Sequence, residues 1–277
     1  MRLVTFRTDG GTRAGRLEDD EVVELDDPDV GALLATGPGW EERAGAGGRR
    51  HLMEGLSLAP PVTSPPAIVC VGQNYAEHAA EVGADLPAYP TLFAKFSAAL
   101  LGPSDPLALP AASSQVDWEV ELAFVIGPSV NVTGGRNLSE AQALDAIVGY
   151  TVANDVSMRD WQGRTSQFLQ GKTFEASTPV GPALVTADEV GDASDLRLTC
   201  TVGGVVMQDG TTAGLIFPPA TIASYLSTIM TLKPGLLVLT GTPSGVGAAR
   251  TPPVFLRAGQ ELRTRIDKIG ELCNQCT

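Results

Sequence analysis

In SQVDWEVELAF, residues 114–124, three carboxylates stand two residues apart: Asp117, Glu119 and Glu121. Val116, Trp118, Val120 and Leu122 fill the alternate positions. Period-two alternation carried by β-branched and aromatic residues predicts a half-buried strand. One face packs on a core, and the other sets three acids side by side, where like charges repel and raise one another's pKa. Three arrangements tolerate this. The acids can form a solvated edge whose charge discourages aggregation. They can supply a glycosidase-like pair, although Cβ atoms at i and i+2 project in parallel and leave no cleft between them. Or they can hold a divalent cation, for which hard oxygen ligands suit Mg²⁺, Mn²⁺ or Ca²⁺. On this segment alone the solvated face is the plainest reading.

Similar runs surround it: AIVCVG (67–72), TLFAKF (91–96), AIVGYTVAND (146–155), GPALVTADEV (181–190), LRLTCTVGGVVM (196–207) and GLLVLTGTP (235–243). Helical spacing appears in YAEHAAEVG (75–83), closed by Gly83, in LSEAQALDAI (138–147), with Ser139 as N-cap, and in PATIASYLSTIM (219–230). Strands outnumber helices and do not alternate with them, so the expected class is α+β, mainly β, rather than a doubly wound sheet. Residues 1–64 read as a small β-rich domain containing RLVTFRT (2–8) and RAGRLEDDEVVEL (13–25), with ATGPGWEERAGAGGRR (35–50) as a loop. The proline-rich LAPPVTSPPA (58–67) is a linker or extended crossover into a second domain, 65–277.

Composition narrows the function. Asp and Glu number 32 against 19 Lys and Arg, for a net charge of −13. That balance argues against nucleic acid, whose phosphates need clustered cations, and against anionic membranes. No apolar run reaches the roughly 18 residues of a membrane helix, and a cytoplasmic location is expected. Cys70 and Cys200 sit in apolar runs and read as buried thiols, while Cys273 and Cys276 form an incidental C-x-x-C with no second ligand pair. QGKT (170–173) ends like a phosphate-binding loop but has Ser166 where that loop requires glycine. No G-x-S-x-G elbow is present.

Other segments bear on the acids. GYTVANDVSMRD (149–160) is a strand ending in Asp155, whose buried carboxylate would need a partner. Meeting Glu119 and Glu121 from a neighbouring strand, it would complete three oxygen donors. His78 and Glu81, three apart on a helix, share one face. A carboxylate on one imidazole nitrogen fixes the tautomer and readies the other to take a proton, though a surface ion pair is the ordinary alternative. LTGTPSGVG (239–247) can expose backbone N–H groups to a carboxylate or phosphate, or be a plain glycine-rich turn.

In order, IVCVGQNYAEHAAEVG, PTLFAKF, VDWEVELAFVIG, VGYTVANDVSMRDWQ, GKTFEASTPVGPALVT, VMQDGTT and LKPGLLVLTGTPSGVG span residues 68 to 247. Together they resemble the fumarylacetoacetate hydrolase family. The resemblance implies a mixed β-sandwich roll and a homodimer. It implies Mg²⁺ or Mn²⁺ on Glu119, Glu121 and Asp155, with Asp117 either behind the ligands or exposed. His78 and Glu81 would be a water-activating dyad on a lid helix, and Lys172 would stabilise developing negative charge. Arg159, Gln162, Gly241 and Thr242 would bind substrate, joined by Tyr75 and Lys95. The implied reaction is hydrolysis of a C–C bond in an acylpyruvate-type 2-oxo acid, alternatively decarboxylation or isomerisation of an oxo-dioate such as oxaloacetate or 2-hydroxyhepta-2,4-diene-1,7-dioate. A non-catalytic binder of 2-oxo acids is the reading from another class, and it has no need of a base. The segment EVGADLPAYP (81–90), expected along the distal pocket, has no basic residue for a second substrate carboxylate.

Overall fold

The computed structural model describes residues 1–81, 83, 85–128 and 135–277. The chain is mainly β, as its pattern predicts, and is built on a mixed twelve-stranded sheet. At its centre, Val120–Ile126 pairs antiparallel with Ile147–Asn154 on one side and with Leu237–Leu239 on the other. Leu237–Leu239 runs parallel to Ile68–Gly72, and Thr91–Lys95 closes that edge. On the other flank, Ile147–Asn154 pairs with Thr178–Thr186, which pairs with Arg2–Thr8. The first segment of the chain therefore extends the same sheet, through Gly11–Glu18, Glu21–Glu24 and Arg50–Leu52. A second, four-stranded sheet contains Arg197–Val202, Val205–Thr211, Glu261–Ile266 and Gly270–Gln275.

The central strand is not half-buried; every residue of Val120–Ile126 is enclosed. Val120, Leu122, Phe124 and Ile126 enter a large core shared with Leu198, Val202, Leu262 and Leu272 of the second sheet. Ala123 and Val125 face a smaller core with Leu33, Leu34, Trp40 and Ala44 of the N-terminal segment. The polar face expected along this strand is thus confined to its first turns, where Glu119 and Glu121 precede Ala123.

The segment 35–50, expected as a loop, contains the short helix Trp40–Ala44, entered through Gly39 at φ 96°. Burial of Trp40 and Ala44 outweighs the glycine-rich composition around them. The proline-rich stretch is an extended crossover lying on the sheet: Thr5 registers with Ala59, and residues 58–62 are buried. Three expected helices form as Ala76–Glu81, Glu140–Asp145 and Pro219–Ile229. Ser139 caps the second in a reciprocal box with Gln142. Gly83 follows the first at φ 69°. Among the described residues no helix is long and apolar enough to cross a membrane.

Candidate active site and metal centre

The central strand is interrupted at its start. Val116–Asp117 is a separate two-residue strand paired with Ser157–Met158, and regular pairing resumes at Val120, opposite Asn154. At the break the Asp155 N–H donates to Glu119 O at 2.9 Å, and the Glu119 N–H donates to Asn154 Oδ1 at 3.0 Å. Side-chain and backbone groups thus replace ladder bonds, and carboxylates from two adjacent strands come together. Glu119, Glu121 and Asp155 each offer an oxygen within 4.8 Å of the others, and all three are buried.

Three cations converge on them. Lys172 Nζ lies 2.7 Å from Glu119 Oε2 and 2.9 Å from Asp155 Oδ2. Lys95, the last residue of its strand, pairs with the other Asp155 oxygen. Arg159 reaches Glu119 Oε1 at 2.7 Å and Asp117 Oδ2 at 2.8 Å, and donates from Nη1 to Gln162 Oε1. Arg159 and Lys172 come from two short helices, Arg159–Gln162 and Leu169–Lys172. They approach so closely that a Cβ on Gly171 would lie 2.4 Å from the Gln162 nitrogen. Glycine at 171 therefore sets Lys172 beside Arg159.

The carboxylates are not equivalent. Burial opposes ionisation of Glu119, but the Lys172 and Arg159 charges outweigh it and hold this carboxyl below its usual range. For Lys172, burial is likewise overcome by Asp155 and Glu119, so the ammonium form is favoured. Glu121 is 1% exposed, and among the described residues no cation forms an ion pair with it. Among the described residues its carboxylate has one hydrogen bond, from the Gly241 N–H at 2.6 Å. Burial, followed by the Asp155 and Glu119 charges, pushes its carboxyl well up. With Asp117 included, four carboxylates face three cations, leaving a net charge of −1 when all are ionised. A divalent cation would relieve this imbalance at the poorly neutralised Glu121. An all-oxygen donor set on rigid strands fits a hard ion.

Asp117 is fully buried, which removes the exposed reading. It accepts from the Trp118, Gly247 and Ala248 N–H groups as well as from Arg159. Four donors make it the anchor between Arg159 and the end of the glycine-rich loop.

His78 is nearly buried, and its Nδ1 lies 2.9 Å from Glu81 Oε2. The other Glu81 oxygen accepts from the Gly245 N–H at 2.8 Å, so the pair also docks the short helix on the loop. With Nδ1–H donated to Glu81, Nε2 keeps a free lone pair. His78 is close enough to the triad for its charge to bear on Glu119. Gly241 has φ 99°, and a Cβ there would meet Asn74 Cβ at 2.9 Å and Val71 O at 3.0 Å. The Thr242 hydroxyl donates to Val120 O at 2.9 Å, so its first role is to tie the loop to the carboxylate strand. The Tyr75 hydroxyl is buried and has no hydrogen-bond partner among the described residues.

Of segment 81–90, Val82 and Ala84 lie outside the described residues. Leu86 and Tyr89 are exposed, and Tyr89 stacks on Tyr225 at 6.4 Å. Sequence reasoning assigned nothing to Asn154 or Gln208, which hydrogen-bond the strand at its break. Gln208 lies in VMQDGTT, a stretch whose family resemblance was the only available signal.

Residues 67–277 match the fumarylacetoacetate (FAA) hydrolase C-terminal family, and residues 1–43 match the Rv2993c-like N-terminal family. The mitochondrial oxaloacetate tautomerase fahd2 of Xenopus laevis is 46% identical over 221 residues, which cover 79% of this chain and 68% of that protein. The crystal structure of maleylpyruvate hydrolase from Sphingobium sp. SYK-6 in complex with manganese(II) ion and pyruvate superposes with a TM-score of 0.81 at 30% identity, covering 100% of this chain and 99% of the other. Fumarylacetoacetate hydrolase from Exiguobacterium antarcticum superposes at 0.88 with 33% identity, covering 100% and 99%.

Proposed function

Because this chain belongs to the fumarylacetoacetate hydrolase family, we propose that it is a divalent-metal-dependent enzyme of keto–enol chemistry that interconverts the tautomers of an oxaloacetate-type 2-oxo acid. The observation that carries the reading is His78, held through Nδ1 by Glu81 and near enough for its charge to bear on Glu119 of a buried cluster of three carboxylates. The cluster suits the chelated end of a 2-oxo acid, and the imidazole suits the proton on the adjacent carbon. The 46% identity to an oxaloacetate tautomerase supports tautomerisation over C–C cleavage.

Mg²⁺ or Mn²⁺ on Glu119, Glu121 and Asp155 would act as a Lewis acid toward the substrate's carboxylate and keto oxygens. The remaining work falls to the chain. His78 Nε2 takes a proton from C3, and the C–H electron pair becomes the C2=C3 bond while the keto π pair moves onto the C2 oxygen. Lys172 has two of its three N–H groups on Glu119 and Asp155, and the third can meet that oxygen as its charge grows. The imidazolium then returns its proton to the C2 oxygen. Carbon has lost one proton, oxygen has gained one, and the base is restored.

A second reading is favoured by the same dyad. If His78 draws its proton from water, the hydroxide can attack a second carbonyl and cleave an acylpyruvate, and a hydrolase is among the structural neighbours.

The test supplies oxaloacetate and a set of acylpyruvates with Mn²⁺. Enol–keto equilibration is followed by ultraviolet absorbance, and pyruvate release by a coupled assay. Accelerated equilibration, reduced about 10²–10⁴-fold in His78→Ala, is the expected result. Acylpyruvate cleavage without tautomerisation transfers the assignment to the hydrolase, and turnover of neither class rejects both.

A further inference from the structure

We propose that Gln208, on the second sheet and away from the carboxylates, is a positioning residue that sets the geometry of the triad and couples it to the substrate loop. The proposal rests on the metal-centred reading of the site.

Val120 stands between Glu119 and Glu121, so the tilt of its peptide groups decides where both side chains point. Neither of its polar backbone groups is left to chance. Its N–H donates to Gln208 Oε1 at 2.9 Å, and its carbonyl accepts from Thr242 Oγ1 at 2.9 Å. Gln208 Nε2 closes the ring, donating to Thr242 Oγ1 at 2.8 Å and to Pro243 O at 2.9 Å. Both amide hydrogens and the amide oxygen are therefore used. These partners also fix the orientation of the amide, because a flip would set NH₂ against the Val120 N–H.

The side chain is 1% exposed and makes no hydrogen bond to any of the three acids. It acts only through the strand and the loop. An independent feature repeats the device one residue earlier. Asn154 Oδ1 accepts from the Glu119 N–H, and its Nδ2 donates to Thr264 Oγ1, again in the second sheet. Two amides thus replace the ladder where the strand breaks, and both fasten the break to the four-stranded sheet.

Manganese uptake by the full-length protein is the test, measured by titration calorimetry on wild type, Gln208→Met and Gln208→Glu. Methionine keeps the volume and loses every bond. Glutamate in its protonated form keeps the acceptor for Val120 and one donor. The expected result is a 10–100-fold weaker Mn²⁺ affinity in Gln208→Met, with an intermediate loss in Gln208→Glu and a raised KM for oxaloacetate in both. Leu33→Ala, in the other core, controls for lost stability and should leave the affinity unchanged.

Equal Mn²⁺ affinity in wild type and Gln208→Met overturns the proposal and leaves the metal-centred reading intact. So does a Leu33→Ala loss as large as that of Gln208→Met at matched stability. Failure of the wild type to take up Mn²⁺ overturns the metal-centred reading itself. If Gln208→Met does not fold, Gln208→Glu alone carries the comparison, and wild-type affinity with wild-type KM refutes the role.

Discussion

Replacing Glu121 with glutamine should stabilise the metal-free protein while removing its response to manganese. Glu121 is fully enclosed, lacks an ion-pair partner among the described residues, and feels Asp155 and Glu119 nearby. A buried carboxyl in this position escapes part of its cost by protonating. Keeping a carboxyl of ordinary pKa 4.5 protonated at pH 7 costs two and a half pH units at 1.36 kcal/mol each, about 3.4 kcal/mol. This is a ceiling on what Glu121 can cost the metal-free fold at that pH. Glutamine can still accept from the Gly241 N–H and can donate toward the neighbouring carboxylates. A gain of about 1–3 kcal/mol is expected, or roughly 2–5 °C in melting temperature for a chain of this size. The pH dependence follows with a definite sign. A carboxyl whose folded pKa is raised contributes stability that is fully present below its unfolded value and lost as pH rises through the folded one. In EDTA, wild-type stability should therefore decline above pH 4.5 more steeply than that of Glu121→Gln. Saturating Mn²⁺ at 100 times its dissociation constant should add about 2.7 kcal/mol to the wild type and nothing to the variant. Thermal unfolding between pH 5 and 8, at one protein concentration, measures all three effects. A variant less stable than wild type in EDTA, or one that responds to Mn²⁺ like wild type, would refute the reasoning.

Lys172→Met leaves Glu119 and Asp155 without their shared ammonium, and the metal-free protein should lose about 3–5 kcal/mol in denaturant titrations, partly recovered on adding Mn²⁺. Gly241→Ala forces a side chain into a backbone at φ 99° and against Asn74 and Val71. It should cost more than about 1 kcal/mol and weaken Mn²⁺ binding, because the Gly241 N–H supports Glu121; calorimetry checks both. Ser139→Ala removes a reciprocal helix cap remote from the site, so chemical denaturation should report a loss of about 0.5–2 kcal/mol with turnover unchanged.

Local pattern made the central strand and three helices legible, since period and capping are properties of short windows. The sequence also placed Asp155 at a strand end, where it meets Glu119 and Glu121. What it could not display was the other side of each residue. Alternation in residues 116–124 implied a wet face, yet Arg159 and Lys172 close on its acids and, from Ala123 onward, N-terminal residues such as Leu33 and Trp40 cover it, all far away along the chain. Asp117 continues the same alternation as the other acids, but two of its three backbone donors, Gly247 and Ala248, come from 130 and 131 residues downstream. Gln208 is an unremarked residue of a hairpin until a second sheet brings it under Val120. Long-range contacts of this kind leave no periodic trace, so only the resemblance to known relatives pointed at the ordered set.

The pairing of Arg2–Thr8 with Thr178–Thr186 makes the opening segment something other than a detachable preface. Two strands separate Arg2–Thr8 from the acid-bearing strand, and Thr178–Thr186 is one of them. Cutting the leader away would strip a row of backbone donors and acceptors and uncover Leu184, Ala123 and Val125. Such a raw border recruits whatever strand lies nearest, including its own kind. Trimming this protein to residues 67–277, the part that matches the FAA hydrolase C-terminal family, should therefore yield clumping before it yields a smaller folded protein.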